Sequence, residues 1–468
     1  MLDKFHDECG VFGILNHKDA ANLVYLGLYA LQHRGQESAG IASFDAEHGR
    51  IVVEKEMGYV ADVFTPDRMK RLPGDTAIGH VRYSTAGGSM LCNAQPLYAS
   101  TSKGPVAVAH NGNLVNGGEL RAHLEAEGAI FNSISDTEVI VHLIARSKEP
   151  DVERAFVDAL SQCRGAYSIA LLTPNRIFAA RDPYGFRPLV LGRFEDATAV
   201  SSETCAFDLI GAESIREVRA GEVVAIDVNG LRTVHQFEAP REARCIFEHV
   251  YFARPDSVIF GNNVAEVRQR FGAQLAREHP VHADVVVPVP DSGVFAALGY
   301  ARESGIPFQF GLVRNHYVGR TFIEPEQGIR NFGVKVKLNP VRELVAGKSV
   351  VLIDDSIVRG TTSKKIVRML KQYGATEVHM RISSPPTNGP CYYGIDTPQR
   401  RDLIANSHSI DEIREYIEAD SLGYLSEEGM LEAVRRDNDD PRRLYCTACF
   451  TGRYPVLSGQ EEPALATL

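Results

Sequence analysis

No apolar run in this 468-residue sequence approaches the ~18 residues that a membrane span requires. The first eight residues (MLDKFHDE) are acidic and lack the apolar stretch of a secretory signal. Internal repeats and low-complexity tracts are absent too, which excludes fibrous and disordered chains. Basic charge is the minority sign, 50 Lys and Arg against 60 Asp and Glu, for a formal charge of −10. That field repels polyanions and argues against a general nucleic-acid binder, but a locally basic pocket could still take a small phosphorylated substrate. Cysteines number only eight, and in a chain this long without a signal peptide a disulfide framework is not expected. What is present is ordinary globular composition, 44% hydrophobic and 24% charged, in a chain long enough for roughly two to four domains. The expectation is a cytoplasmic enzyme with neither nucleic acid nor membrane as partner.

The first ~235 residues read as short strands mixed with helices, an α+β layered pattern. Residues 19–33 carry apolar side chains at helical spacing with Gly35 as a stop, and 76–83, 105–110, 167–172 and 223–228 read as strands. Residues 233–244 (TVHQFEAPREAR) are polar and aperiodic and mark a junction. Beyond it, a β-branched run at 284–289 and further strands at 308–313 and 349–353 alternate with helical stripes at 264–275, 294–303 and 363–373, the pattern of a parallel α/β sheet. Terminal helices follow at 409–417, where Ser409 and Glu412 form a capping box, and at 426–434.

Residues 350–362 (VVLIDDSIVRGTT) place Asp354 and Asp355 at the end of an apolar strand, then a loop with Ser356, Arg359, Gly360, Thr361 and Thr362 entering a helix. Ligands of open α/β sheets sit in that crevice, and the loop amides with the helix N-terminus form an anion site. Two carboxylates would oppose a phosphate directly, so they suit ribose hydroxyls or Mg²⁺. A solvated acidic strand end followed by a helix cap is the plain alternative. The segment resembles the 5-phosphoribosyl pyrophosphate (PRPP) motif of the type I phosphoribosyltransferases. In that family the loop matching 287–293 (VPVPDSG) holds pyrophosphate, so the resemblance implies roles for Asp291, Ser292 and Gly293, with Ser292, Asp354 and Asp355 around one Mg²⁺ per subunit. The long connection 314–347, with Arg314, Arg320, Arg330, Lys335 and Lys337, reads as a basic lid over PRPP.

Near the other end, Cys9 opens CGVFG, followed by HRGQESAG (33–40), HVRYST (80–85), HNGN (110–113) and SDTE (135–138). Together these resemble the class II glutamine amidotransferases, which are N-terminal-nucleophile hydrolases with a layered αββα fold. Amide hydrolysis by cysteine needs a nucleophile, a base and an oxyanion hole. An N-terminal cysteine supplies the first two, because an α-amine with pKa near ~8 can act as base. The resemblance therefore implies removal of residues 1–8 as a propeptide. It also implies Asn111 and Gly112 as the oxyanion hole, Arg82 on the glutamine carboxylate and Asp136 on its amino group. His80 and His110 read as structural.

Of the remaining cysteines, Cys92, Cys163 and Cys205 read as core or inert. Cys245, Cys391, Cys446 and Cys449 could be zinc ligands or plain thiols. Their contexts, CIFEHVYFARPDS, PCYYGIDTP and YCTACFTG, resemble the iron–sulfur form of the glutamine PRPP amidotransferases, where four such cysteines hold one [4Fe–4S] cluster per subunit in a structural role.

The resemblance to that family runs from end to end apart from the tail. It implies a propeptide (1–8), a class II glutamine amidotransferase domain (9–238), a phosphoribosyltransferase domain with C-terminal helices and cluster ligands (239–455), and a tail (456–468). The implied reaction converts glutamine, PRPP and water into 5-phosphoribosylamine, glutamate and pyrophosphate, the first committed step of purine synthesis. Purine nucleotide inhibitors and a homo-oligomer, commonly a tetramer, go with it. The rival readings are another class II amidotransferase, which would have no use for residues 350–362, and a non-catalytic PRPP sensor, which would have no use for Cys9, Arg82, Asn111 and Asp136.

Overall fold

The computed structural model describes residues 9–83, 90–315, 338–397, 399–436 and 439–456. Residues 1–8, Ser84 and Thr85 of HVRYST, the cationic residues Arg320, Arg330, Lys335 and Lys337, Pro398 and residues 457–468 lie outside them.

The first unit stacks two antiparallel sheets. In the seven-stranded sheet, strand Gly10–Leu15 lies between Ala197–Ser201 and Thr76–Arg82, with Ser38–Asp45 next. The six-stranded sheet runs Gly230–Gln236, Glu222–Asp227, Arg176–Arg181, Gly165–Thr173, Gly104–Leu114 and Leu97–Thr101 in spatial order. Small side chains let the sheets approach: Val11, Ala42 and Ile78 of one face Ala107, Ala109, Ala170 and Ala179 of the other. Helices Ala20–Ala30 and Cys205–Ile210 cover the outer face of the first sheet. Thr137–Arg146 and Val152–Gln162 cover the second. This is the αββα layering that the resemblance implied.

The expected strands are present, two of the four longer: 105–110 became Gly104–Leu114 because both neighbours, Leu97–Thr101 and Gly165–Thr173, continue its ladder. The first helix is shorter than its stripe, spanning Ala20–Ala30 rather than 19–33. Strand Gly230–Gln236 enters the polar segment, so the crossing to the second unit falls after it.

The second unit is built on four parallel strands in the order Val285–Pro288, Ser349–Asp354, Glu377–Ile382 and Ser421–Tyr424. Helices Val264–Glu278 and Val294–Ser304 pack on one face, and Thr361–Gln372 and Ile410–Ile417 on the other. The first two cross so closely that a Cβ on Gly272 would lie 1.8 Å from the Ala296 carbonyl oxygen, and one on Gly299 1.9 Å from that of Gln269. The Ser409–Glu412 capping box forms as expected.

The run 308–313 is not a full sheet strand. Phe308 alone bridges Val286, and Leu312–Arg314 pairs antiparallel with Leu338–Pro340. Between them Gly311 lies against Val287, where a Cβ would come within 2.7 Å of its side chain, so glycine permits this close passage. Strand Glu377–Ile382 has no continuous apolar run, because Glu377, His379 and Arg381 alternate with Val378, Met380 and Ile382; His379 and Arg381 are buried and bonded, Arg381 to the His279 carbonyl at 3.0 Å and His379 to Ser421 at 2.9 Å. Among the described residues, no helix is long and apolar enough to cross a membrane.

Candidate functional site

Cys9 sits at the head of the central strand Gly10–Leu15, nearly buried, its Sγ donating to the Tyr83 carbonyl at 3.7 Å. Gly10 is in register with Val81, which places Arg82 at the same end of the sheet. On the facing sheet, strand Gly104–Leu114 carries Asn111 and Gly112. The Asn111 side-chain nitrogen Nδ2 is buried with no hydrogen-bond partner, a condition that costs about 1–3 kcal/mol and persists where a donor is reserved for a ligand. Gly112 has φ +143°, and a Cβ there would lie 2.1 Å from the Ala166 oxygen, so only glycine fits.

Two histidines tie these pieces together. His80 Nε2 meets the His110 carbonyl at 3.0 Å, joining the strand of Arg82 to that of Asn111. His110 Nδ1 lies 3.1 Å from the Thr137 hydroxyl, at the start of the helix that follows Asp136. Asp136 in turn accepts from the Leu114 amide at 2.8 Å. Burial pushes the pKa of His80 down to about 3, the hydrogen bond to His110 only partly opposing it. His80 is therefore a neutral strut, and Cys9, Arg82, Asn111, Gly112 and Asp136 gather at one end of the sandwich. Of the other cysteines set aside as core or inert, Cys163 and Cys205 are buried and Cys92 is exposed.

Behind Cys9 lies a group of buried charges without a sequence signal. Arg34 Nε donates to the Cys9 carbonyl at 3.0 Å. Its guanidinium also binds Glu203 at 2.5 Å and Glu248 at 2.7 and 2.9 Å, and Arg187 reaches Glu248 at 3.4 Å. All four side chains are fully buried. Burial alone would raise the Glu203 carboxyl, but His33 and Arg34 hold it well below the usual carboxylate range. Arg34 lay inside a quoted motif, yet its partners stand some 170 to 214 positions away, beyond any local pattern.

In the second unit, Asp354 and Asp355 end strand Ser349–Asp354, each 1% exposed. The Ser356 hydroxyl donates to Asp355 at 2.6 Å, and Ser384 to the Asp355 carbonyl at 2.7 Å. Gly360, with φ +76°, turns the chain into helix Thr361–Gln372, which begins two residues earlier than its apolar stripe and has no acidic residue in its first turn. The 287–293 loop meets the same edge: Val289 donates to the Ile353 carbonyl at 2.8 Å, and a Cβ on Gly293 would lie 2.4 Å from that oxygen. Ser292 is half-buried there; Asp291 is exposed and accepts from Arg314 at 2.6 Å. Arg359 is exposed, 4.0 Å from Asp402. Arg268 is a countercharge that the sequence did not reveal: burial lowers its pKa to about 10, and Asp355 is first among the groups opposing that shift. Among the described residues, no group of three or more His, Cys, Asp or Glu side chains is arranged to hold a metal ion by itself.

The cysteine quartet converges at the junction of the two units. Arg244–Cys245 and Tyr445–Cys446 form a short parallel ladder in which Cys245 and Cys446 are register partners. The amides of Asn388 and Gly389 donate to the Cys449 carbonyl at 2.9 and 3.0 Å, bringing Cys391 alongside. Burial pushes the Cys446 thiol up to about 12. Burial first, then the neighbouring Cys245, Cys446 and Cys391, push Cys449 well up.

Comparison with known proteins matches residues 80–208 to the glutamine amidotransferase domain family and 262–384 to the phosphoribosyl transferase domain family. The chain is 54% identical over 455 residues to "Amidophosphoribosyltransferase 2, chloroplastic" of Arabidopsis thaliana, spanning 97% of this chain and 80% of that protein. It is 49% identical over 452 residues to the Bacillus subtilis amidophosphoribosyltransferase, spanning 96% and 94% of the two chains. The solved structure of glutamine PRPP amidotransferase from B. subtilis complexed with ADP and GMP superposes with TM-score 0.92 at 48% identity, covering 97% of this chain and 99% of that one.

Proposed function

This chain belongs to the amidophosphoribosyltransferase family, and from that premise we propose that the residues gathered above carry the two halves of the family's reaction. The enzyme moves nitrogen from glutamine to PRPP in the first step of purine biosynthesis. In the first half, removal of residues 1–8 frees the Cys9 α-amine, which takes the thiol proton as Sγ attacks the side-chain amide carbon of glutamine. The developing oxyanion accepts hydrogen bonds from Asn111 Nδ2 and the Gly112 amide. Arg82 pairs with the substrate carboxylate and Asp136 with its ammonium. The C–N bond breaks, ammonia leaves with the returned proton, and water hydrolyses the thioester to glutamate.

In the second half, ammonia forms a bond to ribose C1 while the C1–oxygen bond to pyrophosphate breaks. Asp354 and Asp355 hold the ribose hydroxyls, Ser356, Arg359, Gly360, Thr361 and Thr362 wrap the 5-phosphate, and Asp291, Ser292 and Gly293 face the pyrophosphate. A buried acid pair beside hydroxyls, without a complete cage, fits an ion shared between protein and substrate phosphates. Bound there through Ser292, Asp354 and Asp355, Mg²⁺ would neutralise charge on the leaving pyrophosphate.

Four cysteines brought near one another offer the all-sulfur donor set that a [4Fe–4S] cluster takes, although among the described residues they do not stand as a ready-formed metal site. Held by Cys245, Cys391, Cys446 and Cys449, it would tie the last described segment to the domain junction as a structural link. The chain is also proposed to act as a homo-oligomer, a tetramer, inhibited by purine nucleotides; the B. subtilis relative solved with ADP and GMP supports the latter.

The observation that carries the reading is the buried, unpartnered Asn111 amide at the cysteine end of one unit, in a chain whose other unit presents a buried acid pair above a phosphate-type loop. The test is pyrophosphate release from PRPP with glutamine or ammonia as nitrogen source. Cys9→Ala is expected to abolish the glutamine-dependent rate and leave the ammonia-dependent one. Loss of both in a folded protein would refute separate sites.

A further inference from the structure

We propose that the second-domain loop 392–394 is a positioning element for the glutamine site, seated by Asn113 and Arg187 so that it braces the oxyanion-hole residue Gly112. This rests on the reading of Asn111 and Gly112 as the oxyanion hole. Three consecutive loop residues each meet a different first-domain group. Asn113 Nδ2 donates to the Tyr392 carbonyl at 2.9 Å. Arg187 donates to the Tyr393 carbonyl through Nε at 3.1 Å and Nη2 at 2.8 Å, while the Phe186 and Tyr393 rings stack with centroids 4.2 Å apart. Gly394, at φ +105°, lies so near that a Cβ on it would stand 3.0, 3.1 and 3.2 Å from the C, Cα and O of Gly112.

Gly112 is thus held between the Ala166 carbonyl of its own sheet and the backbone of the other domain. An oxyanion hole works only when its donors stand where charge will develop, and an error of about 1 Å costs on the order of 10²-fold in rate. The contact falls on one of the two donor residues, so the second domain sets the geometry of the first domain's chemistry.

The test uses Asn113→Ala, which removes one seat, and Gly394→Ala, which pushes on Gly112 directly. Each is expected to lower kcat for glutamine hydrolysis about 10-fold, with KM for glutamine within about twofold. Ammonia-dependent synthesis should be unchanged, which establishes that the protein folds. Alkylation of Cys9 by iodoacetamide should keep its rate, because that reaction needs the sulfur and no oxyanion donor. Unchanged kcat in both variants would overturn the proposal. So would alkylation slowing in step with turnover, or both nitrogen sources failing together. Asn111→Ala serves as the reference, expected to lose about 10²–10³-fold in kcat. If Asn111→Ala loses nothing, the oxyanion reading falls and this inference with it; if it loses activity while the other two do not, only this inference falls.

Discussion

Glu248→Gln should destabilise the protein far more than its near-isosteric change suggests. Glu248 accepts from Arg34 at 2.7 and 2.9 Å and from Arg187 at 3.4 Å, with no solvent reaching any of the three side chains. The amide keeps the shape but removes the negative charge, leaving the buried Arg34 and Arg187 guanidiniums without the countercharge they share. Breaking a buried pair from one side costs about 3–5 kcal/mol, because the remaining charge cannot return to water. If the 468-residue chain melts as one unit, an unfolding entropy of ~2.1 cal/mol/K per residue gives about 1 kcal/mol per degree, hence a Tm lower by ~3–5 °C. Calorimetry on Glu248→Leu, Arg34→Met and the double variant would isolate the pair. The double variant should recover part of the loss, since Arg34 and Glu248 no longer strand each other while Glu203 and Arg187 still each lose a partner, with a coupling of about 1–3 kcal/mol. Strictly additive losses, or a Glu248→Gln cost under about 1 kcal/mol, would refute the claim that these charges depend on one another.

Asp354→Asn and Asp355→Asn should each weaken PRPP use about ten- to a hundredfold, from ~1.5–3 kcal/mol of lost charge-assisted contact. Titrating PRPP in the ammonia-dependent assay reads this, and glutamine hydrolysis without PRPP should not change. Cys446→Ser should lower stability before it touches the chemistry, because it removes one of the proposed sulfur ligands that would tie distant segments together; iron and sulfide assays on anaerobically purified protein check the ligand set, and stoichiometric zinc without iron would defeat it. His80 is neutral in the fold at about 3 against an ordinary 6.5, so its contribution is complete above pH 6.5 and is lost as pH falls towards 3, at up to about 1.4 kcal/mol per pH unit. His80→Asn should remove one proton from the uptake on unfolding near pH 5; an unchanged pH slope would contradict the strut role.

Much of the molecule was legible in the chain. Local periodicity set the helices at 264–278 and 294–304 and the buried strands 285–288 and 349–354, because side-chain spacing on a helix or strand is a short-range property. The strand end, acid pair and glycine turn of 349–361 were equally readable, since they lie within a dozen residues of one another. The reading failed where local and tertiary preference disagree. Strand 377–382 carries its signal only as an alternation, with His379 and Arg381 buried between the apolar positions, and the run 308–313 divides between a bridge to Val286 and an antiparallel pair with a distant segment.

What only the tertiary structure decided is how the two units depend on each other. Arg34 finds Glu248 across 214 positions, Arg187 finds the Tyr393 carbonyl across 206, and Asn113 finds Tyr392 across 279. Nothing in the neighbourhood of any of these residues marks it as buried, paired or braced. A charge can be buried only where an opposite charge arrives, and a backbone can approach Gly112 only where another glycine leaves room. Those conditions are met by the meeting of distant segments, so they exist once the chain has folded and have no local pattern from which to be read.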